Sequence, residues 1–166
     1  MINLLPISTF FSKLAEDFYH SSSGHRYWGK QAAGILILCL QDATALLLLR
    51  SENVQHPGTW GIAGGAVSEE EETQDGALRE AEEELGSLPH FEKLLDTVVY
   101  QDGGFSYHTF IYNISLEEKE NWTSQISLNW ENDDFKWFDL RNLPNGLHFG
   151  VVYLEKFLPK IINNRL

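Results

Sequence analysis

Three glutamates, Glu80, Glu83 and Glu84, stand at i, i+3 and i+4 in the stretch GALREAEEELG. In a helix that spacing puts all three carboxylates on one face. Like charges so placed cost a few tenths of a kcal/mol each, a crowding that a hard divalent cation would relieve. Mg²⁺ and Mn²⁺ favour carboxylate oxygens, and Mg²⁺ usually completes its shell with phosphate oxygens and water. Ahead of the helix, Gly64 and Gly65 let the backbone turn sharply or approach closely, and the Gly65 carbonyl is a candidate further ligand. Arg79 can hold a neighbouring carboxylate through charge-assisted hydrogen bonds. Glu71 lies upstream, where it can accept from Arg79 or from the helix N-terminal amides.

A run of glutamates on a helix is ordinarily a solvated face, and charge alone favours that reading. Between Gly65 and Leu88 there are nine acidic residues and one basic one, a charge of −8 out of a total of −12. Self-repulsion of that size destabilises a compact state unless something positive offsets it. The fixed spacing of the glutamates with Gly65, Arg79 and Gly86 is what tips the balance towards a site. Glu69, Glu70, Glu72 and Glu82 share no such pattern and are assigned to solvent.

These residues need elements to position them. The 166-residue chain suits one domain, 43% hydrophobic and 13% aromatic, with enough apolar residues for a core. Phe10, Phe11, Leu14 and Phe18 follow helical spacing, giving an N-terminal helix over 8–20. QAAGILILCLQ and ATALLLLRS read as two buried strands of a hairpin. ENVQHPGTWG is a loop marked by Pro57-Gly58, and WGIAGGAV a short glycine-punctuated run. A helix over Thr73–Leu85 follows, with Gly86 as its C-terminal cap. KLLDTVVYQD and FSYHTFIYNISL flank Gly103-Gly104 as a second hairpin. EEKENWTSQISLNWENDD reads as a polar loop, FKWFDL as a strand, RNLPNG as a turn and HFGVVYLEKFLPKII as one C-terminal helix.

The order Gly65, five residues, Glu71, seven residues, Arg79-Glu80-Ala81, one residue, Glu83-Glu84, one residue, Gly86 resembles the Nudix box, here residues 65–87. Every glycine, glutamate and arginine position of that signature is filled. The flanking TWGIAGGAV and FKWFDLRNLP resemble the Nudix hydrolase order as well. Three positions depart from the pattern: Ser87 where an aliphatic residue is expected, Ala63 in place of a frequent proline, and Glu70 in place of a frequent glycine. They touch packing and loop shape, not the carboxylates. The resemblance implies a single Nudix domain over 1–166, an α/β fold of the Nudix α/β/α sandwich type with a mixed sheet. It implies Mg²⁺- or Mn²⁺-dependent hydrolysis of a nucleoside diphosphate linked to another group, with Glu80, Glu83, Glu84 and the Gly65 carbonyl on the metal. Arg79 and Glu71 would orient the ligands, and a box glutamate or Glu131, in the loop before the last strand, would activate water. Nucleotide sugars, ADP-ribose, dinucleoside polyphosphates, oxidised nucleoside triphosphates and capped RNA ends are all family substrates.

Trp60 and Arg50 are candidate contacts for a base and a phosphate, against packing and a strand end as the plainer readings. His56, His108 and His148 lack ligand spacing. The net charge argues against a nucleic-acid-gripping surface. Apolar runs at Ala32–Leu40 and Ala43–Leu49 are too short to span a bilayer. One cysteine, and no basic segment followed by an apolar core at the N-terminus, give a reducing, cytoplasmic setting as the expectation, and a homodimer is among the assemblies open to the chain. Two other functions compete. A nucleotide-sensing module of the same fold would not need every box carboxylate. Isomerase chemistry on isoprenoid diphosphates would need a reactive cysteine, and Cys39 sits among apolar neighbours.

Overall fold

The computed structural model describes residues 31–102 and 104–163, so the helix expected over 8–20 lies outside the described residues. Leucine- and isoleucine-rich runs with buried faces on both sides can only sit in the middle of a layered structure, and that is where they are. β1 (Gln31–Cys39) and β2 (Thr44–Arg50) pair antiparallel at Leu38–Ala45 and Cys39–Thr44. β5 (Lys93–Asp102) and β6 (Phe105–Asn113) form the second antiparallel pair. β6 then runs parallel to β1 over Gln31–Leu38, and β7 (Asn132–Asp139) lies antiparallel to β2. The result is a mixed seven-stranded sheet.

The site depends on one detail of this sheet. β1 and β2 touch only near their turn and then fork. Into the fork slides the segment β3 (Trp60–Gly61) and β4 (Ala63–Ala66). β3 pairs with β2 at Leu48 and Leu49, whereas β4 pairs with β1, matching Gly64 to Gly34 and Gly65 to Ala33. The double glycine is therefore part of the sheet and has its position fixed by ladder hydrogen bonds.

Alternate residues of β1 serve opposite faces. Ala33, Ile35 and Ile37 pack with Ala77, Ala81 and Leu85 of α1 (Thr73–Leu85) and with Trp122 of α2 (Leu116–Thr123). Leu36 and Leu38 pack with Val151 and Leu154 of α3 (Phe149–Glu155) and Leu158 and Ile161 of α4 (Leu158–Asn163). Helices thus cover both faces, the α/β/α sandwich expected.

Two expectations are corrected. The polar segment after β6 is not all loop, because α2 forms with the Ser115 side chain accepting from the Glu118 N–H at 3.0 Å. The C-terminal helix is two helices. Pro159 has no N–H to donate to Glu155, and Phe157 N–H closes instead on Leu154 O at 2.8 Å. α1 itself runs over the expected residues and ends at Gly86, whose φ of 78° is the left-handed conformation glycine allows. Cys39 is fully buried, and burial pushes its thiol up.

Candidate active site

α1 lies across β1 and β4, so its carboxylates meet the double glycine. They do not share one environment. Among the three, the Glu83 side chain is 59% exposed and that of Glu80 19%, while Glu84 is 5% exposed. The three carboxylates expected together on one helix face form a gradient from water to core.

At the wetter end Arg79 gathers the acids. Its Nε and Nη2 donate to the two oxygens of Glu71 at 2.9 and 3.0 Å. Nη1 donates to Glu80 Oε1 at 2.7 Å and to Glu83 Oε1 at 3.2 Å, and Nη2 also reaches Ala66 O at 3.0 Å. These bonds hold the Glu71 carboxyl below its usual range and keep Arg79 firmly protonated. Burial has the larger say at Glu80 and raises its carboxyl. Glu80 also leans on bare backbone: a Cβ at Gly65 would stand 2.3 Å from Glu80 Oε2, so any side chain there would displace this carboxylate.

At the buried end Glu84 has no cation in contact among the described residues. Its Oε1 accepts from the Gly64 N–H at 2.8 Å and its Oε2 from Asn132 Nδ2 at 2.7 Å. Burial outweighs these bonds and pushes the carboxyl up to about 7. Glu131 and Arg50 are charged neighbours of Glu84, and Glu131 faces Glu80 as well. The Glu131 loop is tied to α1 and β2: Asn129 N–H donates to Glu84 O, Ser51 N–H to Glu131 O at 2.8 Å, and Ser51 Oγ to Trp130 O at 2.9 Å.

The fold thus brings Glu71, Arg79, Glu80, Glu83, Glu84, Gly65, Glu131 and Arg50 into one region. Trp60 is turned elsewhere, its ring packed edge-on to Phe138 at 4.8 Å. Glu69, Glu70, Glu72 and Glu82 are exposed. Ser87 has a use no aliphatic residue could serve, since its hydroxyl accepts from the buried Trp122 indole at 3.0 Å. Asn132, buried at 6% exposure, was not foreseen, and neither was Tyr107, whose charged neighbours are Glu84, Arg50 and Glu80.

Glu80, Glu83, Glu84 and the Gly65 carbonyl offer oxygen atoms only, the donor set of a hard cation. Each Glu84 oxygen keeps a lone pair beyond its hydrogen bond. As they stand, with Arg79 bridging Glu80 and Glu83, no three acidic, histidine or cysteine side chains among the described residues converge on a metal-sized point.

Residues 30–160 match the NUDIX domain. The chain is 28% identical over 121 residues to human diphosphoinositol polyphosphate phosphohydrolase 3-beta, covering 72% of this chain and 73% of that protein. It is 40% identical over 83 residues to a putative 8-oxo-dGTP diphosphatase 3 of Mycobacterium tuberculosis, covering 48% of this chain and 38% of that one. Among solved structures, the Nudix hydrolase RenU of M. smegmatis superposes with a TM-score of 0.61 at 23% identity, covering 88% of this chain and 94% of RenU.

Proposed function

The chain belongs to the NUDIX family, and on that premise we propose that it hydrolyses a diphosphate linkage in a nucleoside diphosphate joined to a second group, with Mg²⁺ or Mn²⁺ as cofactor. Members of the family are pyrophosphatases and related hydrolases that generally use divalent metals. The observation that carries the reading is the pairing of a buried, backbone-anchored Glu84 with an Arg79-organised set of Glu71, Glu80 and Glu83 on one helix. A stability-driven design would not bury a carboxylate without a cation in contact. A site that receives a cation would.

In this reading Glu80, Glu83, Glu84 and the Gly65 carbonyl hold the metal, which when bound neutralises phosphate charge and activates water. Arg79 and Glu71 fix the orientation of Glu80 and Glu83. Gly64 N–H and Asn132 fix Glu84. Glu131, held by Ser51 and Asn129, is assigned the role of water-activating base in this reading, and Arg50 that of positive charge for a phosphate. Trp60 is left with a packing role. The partner is a small nucleotide-derived molecule and the setting cytoplasmic. No helix of the described residues is long and apolar enough to cross a membrane.

The test is a product assay with Mg²⁺ and Mn²⁺ on ADP-ribose, a nucleotide sugar, a dinucleoside polyphosphate, 8-oxo-dGTP and a diphosphoinositol polyphosphate. Metal-dependent release of phosphorylated products from a nucleotide substrate supports the reading. Nucleotide binding without turnover across the panel would replace it with a sensing module, and turnover of the inositol compound alone would overturn the nucleotide assignment.

A further inference from the structure

Gly34 is the only glycine in β1, in the middle of a strand that is otherwise buried and apolar. Glycine weakens a strand interior and marks a close approach by some other group. Backbone conformation does not explain it, since among the described residues positive φ is confined to Gly58, Gly86, Gly146, Ala43 and His56. Space does. A Cβ at Gly34 would stand 2.4 Å from the hydroxyl oxygen of Tyr107 and 2.7 Å from Ala63 O, and a Cβ at Gly64, its partner across the ladder, 2.5 Å from Ala33 O and from Gly34 Cα and 2.9 Å from the same hydroxyl. The closely paired backbones and the phenol together leave no room for a Cβ at either glycine, and the Tyr107 hydroxyl lies over both.

That hydroxyl lies against the site. Gly64 is the residue whose N–H holds Glu84, and the charged groups facing the phenol are Glu84, Arg50 and Glu80. Tyr107 is also among the groups facing the Arg50 guanidinium, together with Glu84 and Glu131. No described residue makes a hydrogen bond with the Tyr107 hydroxyl, while every fully enclosed side-chain nitrogen or oxygen among the described residues has a partner. The hydroxyl therefore keeps some exposed surface and an unused donor.

We propose that the Tyr107 hydroxyl donates a hydrogen bond to a phosphoryl oxygen of the bound diphosphate, beside Arg50, from its place over Gly34 and Gly64. The proposal rests on the diphosphatase reading above. A neutral donor suits this place, because a phenol keeps its proton at neutral pH and adds no charge between Arg50 and the carboxylates. Contact with the phosphoryl group, and not with the groups on either side of it, means the effect should be common to all diphosphate substrates.

Tyr107→Phe deletes only the oxygen. The variant and wild type are compared by steady-state hydrolysis of two diphosphate substrates with different leaving groups, by calorimetric binding of α,β-methylene-ADP with Mg²⁺, and by thermal unfolding. The expected result is a loss in kcat/KM of about 10- to 100-fold, similar for both substrates, with weaker analogue binding and an unchanged Tm. Unchanged kcat/KM and analogue affinity, a loss confined to one substrate, or a loss that tracks a lowered Tm would each overturn the proposal while wild-type turnover left the diphosphatase reading standing. A wild type that neither hydrolyses nor binds any of these compounds would overturn both.

Discussion

One helix carries two ways of handling negative charge. Around Arg79, three carboxylates share one guanidinium in a half-exposed network, and no acid there is far from a cation. Next in the chain to Glu83, Glu84 is buried with only neutral donors among the described residues, Gly64 N–H and Asn132 Nδ2, in contact. The first arrangement offsets its charge within the chain, through the guanidinium that the carboxylates touch. The second does not: burial raises the carboxyl towards neutrality and a nearby positive charge would lower it again. The difference separates the residues that shape the site from the residue most sensitive to what enters it.

Turnover should separate the two ends most. Glu84→Gln keeps the shape and removes the charge, and in excess Mg²⁺ it should reduce diphosphate hydrolysis by about 10³-fold, the scale of several kcal/mol of lost transition-state stabilisation. Arg79→Gln acts only through the carboxylates it orients and should cost about 10- to 100-fold. Initial rates of both variants decide the matter, and equal losses would erase the distinction.

The next effect is on the fold without metal. In the native state the Glu84 carboxyl is raised from 4.5 to about 7. Below the lower value it is protonated in both states and costs nothing. As pH rises between the two, the unfolded chain releases its proton while the native chain keeps it, so stability falls, and above about 7 the full penalty of about 3 kcal/mol is in place. Urea unfolding in chelator should show that decline in wild type and a flatter profile in Glu84→Gln. Asn132 can rotate its amide to hold the new side chain. A wild-type curve that rises through this window would mean that Glu84 is relieved by some other group.

Metal binding should be felt at the same residue. Ligands must be deprotonated to bind, so Mn²⁺ affinity by calorimetry should weaken below about pH 7 in step with Glu84 protonation. At about a hundredfold excess over its dissociation constant the ion should stabilise the fold by about 2.7 kcal/mol. NaCl at equal ionic strength should not reproduce the gain in Tm, and identical shifts from both salts would reduce the effect to screening.

The smallest effect is on the stability of the Arg79 network. Its side chain is 38% exposed, so solvent screens the pairs, and Arg79→Ala should cost only about 1 kcal/mol. Added Mn²⁺ should recover part of that loss. A cost of several kcal/mol, measured in the same urea experiment, would show the network to be structural first.

The sequence was readable wherever the physics was local. The spacing of α1, its Gly86 cap and the Glu71–Arg79–Glu80 relay all fall within one short stretch, and the structure has them as read. The strands β1 and β2 announced themselves by their apolar runs, and β5 and β6 by flanking Gly103-Gly104 as a hairpin. Asn132 could not be read this way, because its partner Glu84 is 48 residues away and nothing in WEND marks the asparagine as buried. Tyr107 was hidden for the same reason, although a glycine inside the apolar run of β1 was a visible sign that something approached. Two misses had local signals. Ser115 followed by Glu118 is the spacing of a helix start, and Pro159 is a warning against one continuous C-terminal helix. The Trp60 ring packs on Phe138, a matter of strand orientation that composition does not carry.

The β1–β2 fork also bears on how the chain reaches this state. β4 enters beside β1 only after a loop closes behind it, and the other edge of β1 waits for β6, whose residues begin at Phe105. Such non-local pairings are paid for in loop entropy before they return any stability, and they slow folding. The seat of Gly64 and Gly65 is complete only when both edges of β1 are occupied. A cation that needs that seat meets it at the end of folding, so it should lengthen the lifetime of the folded chain while leaving the rate of refolding nearly unchanged.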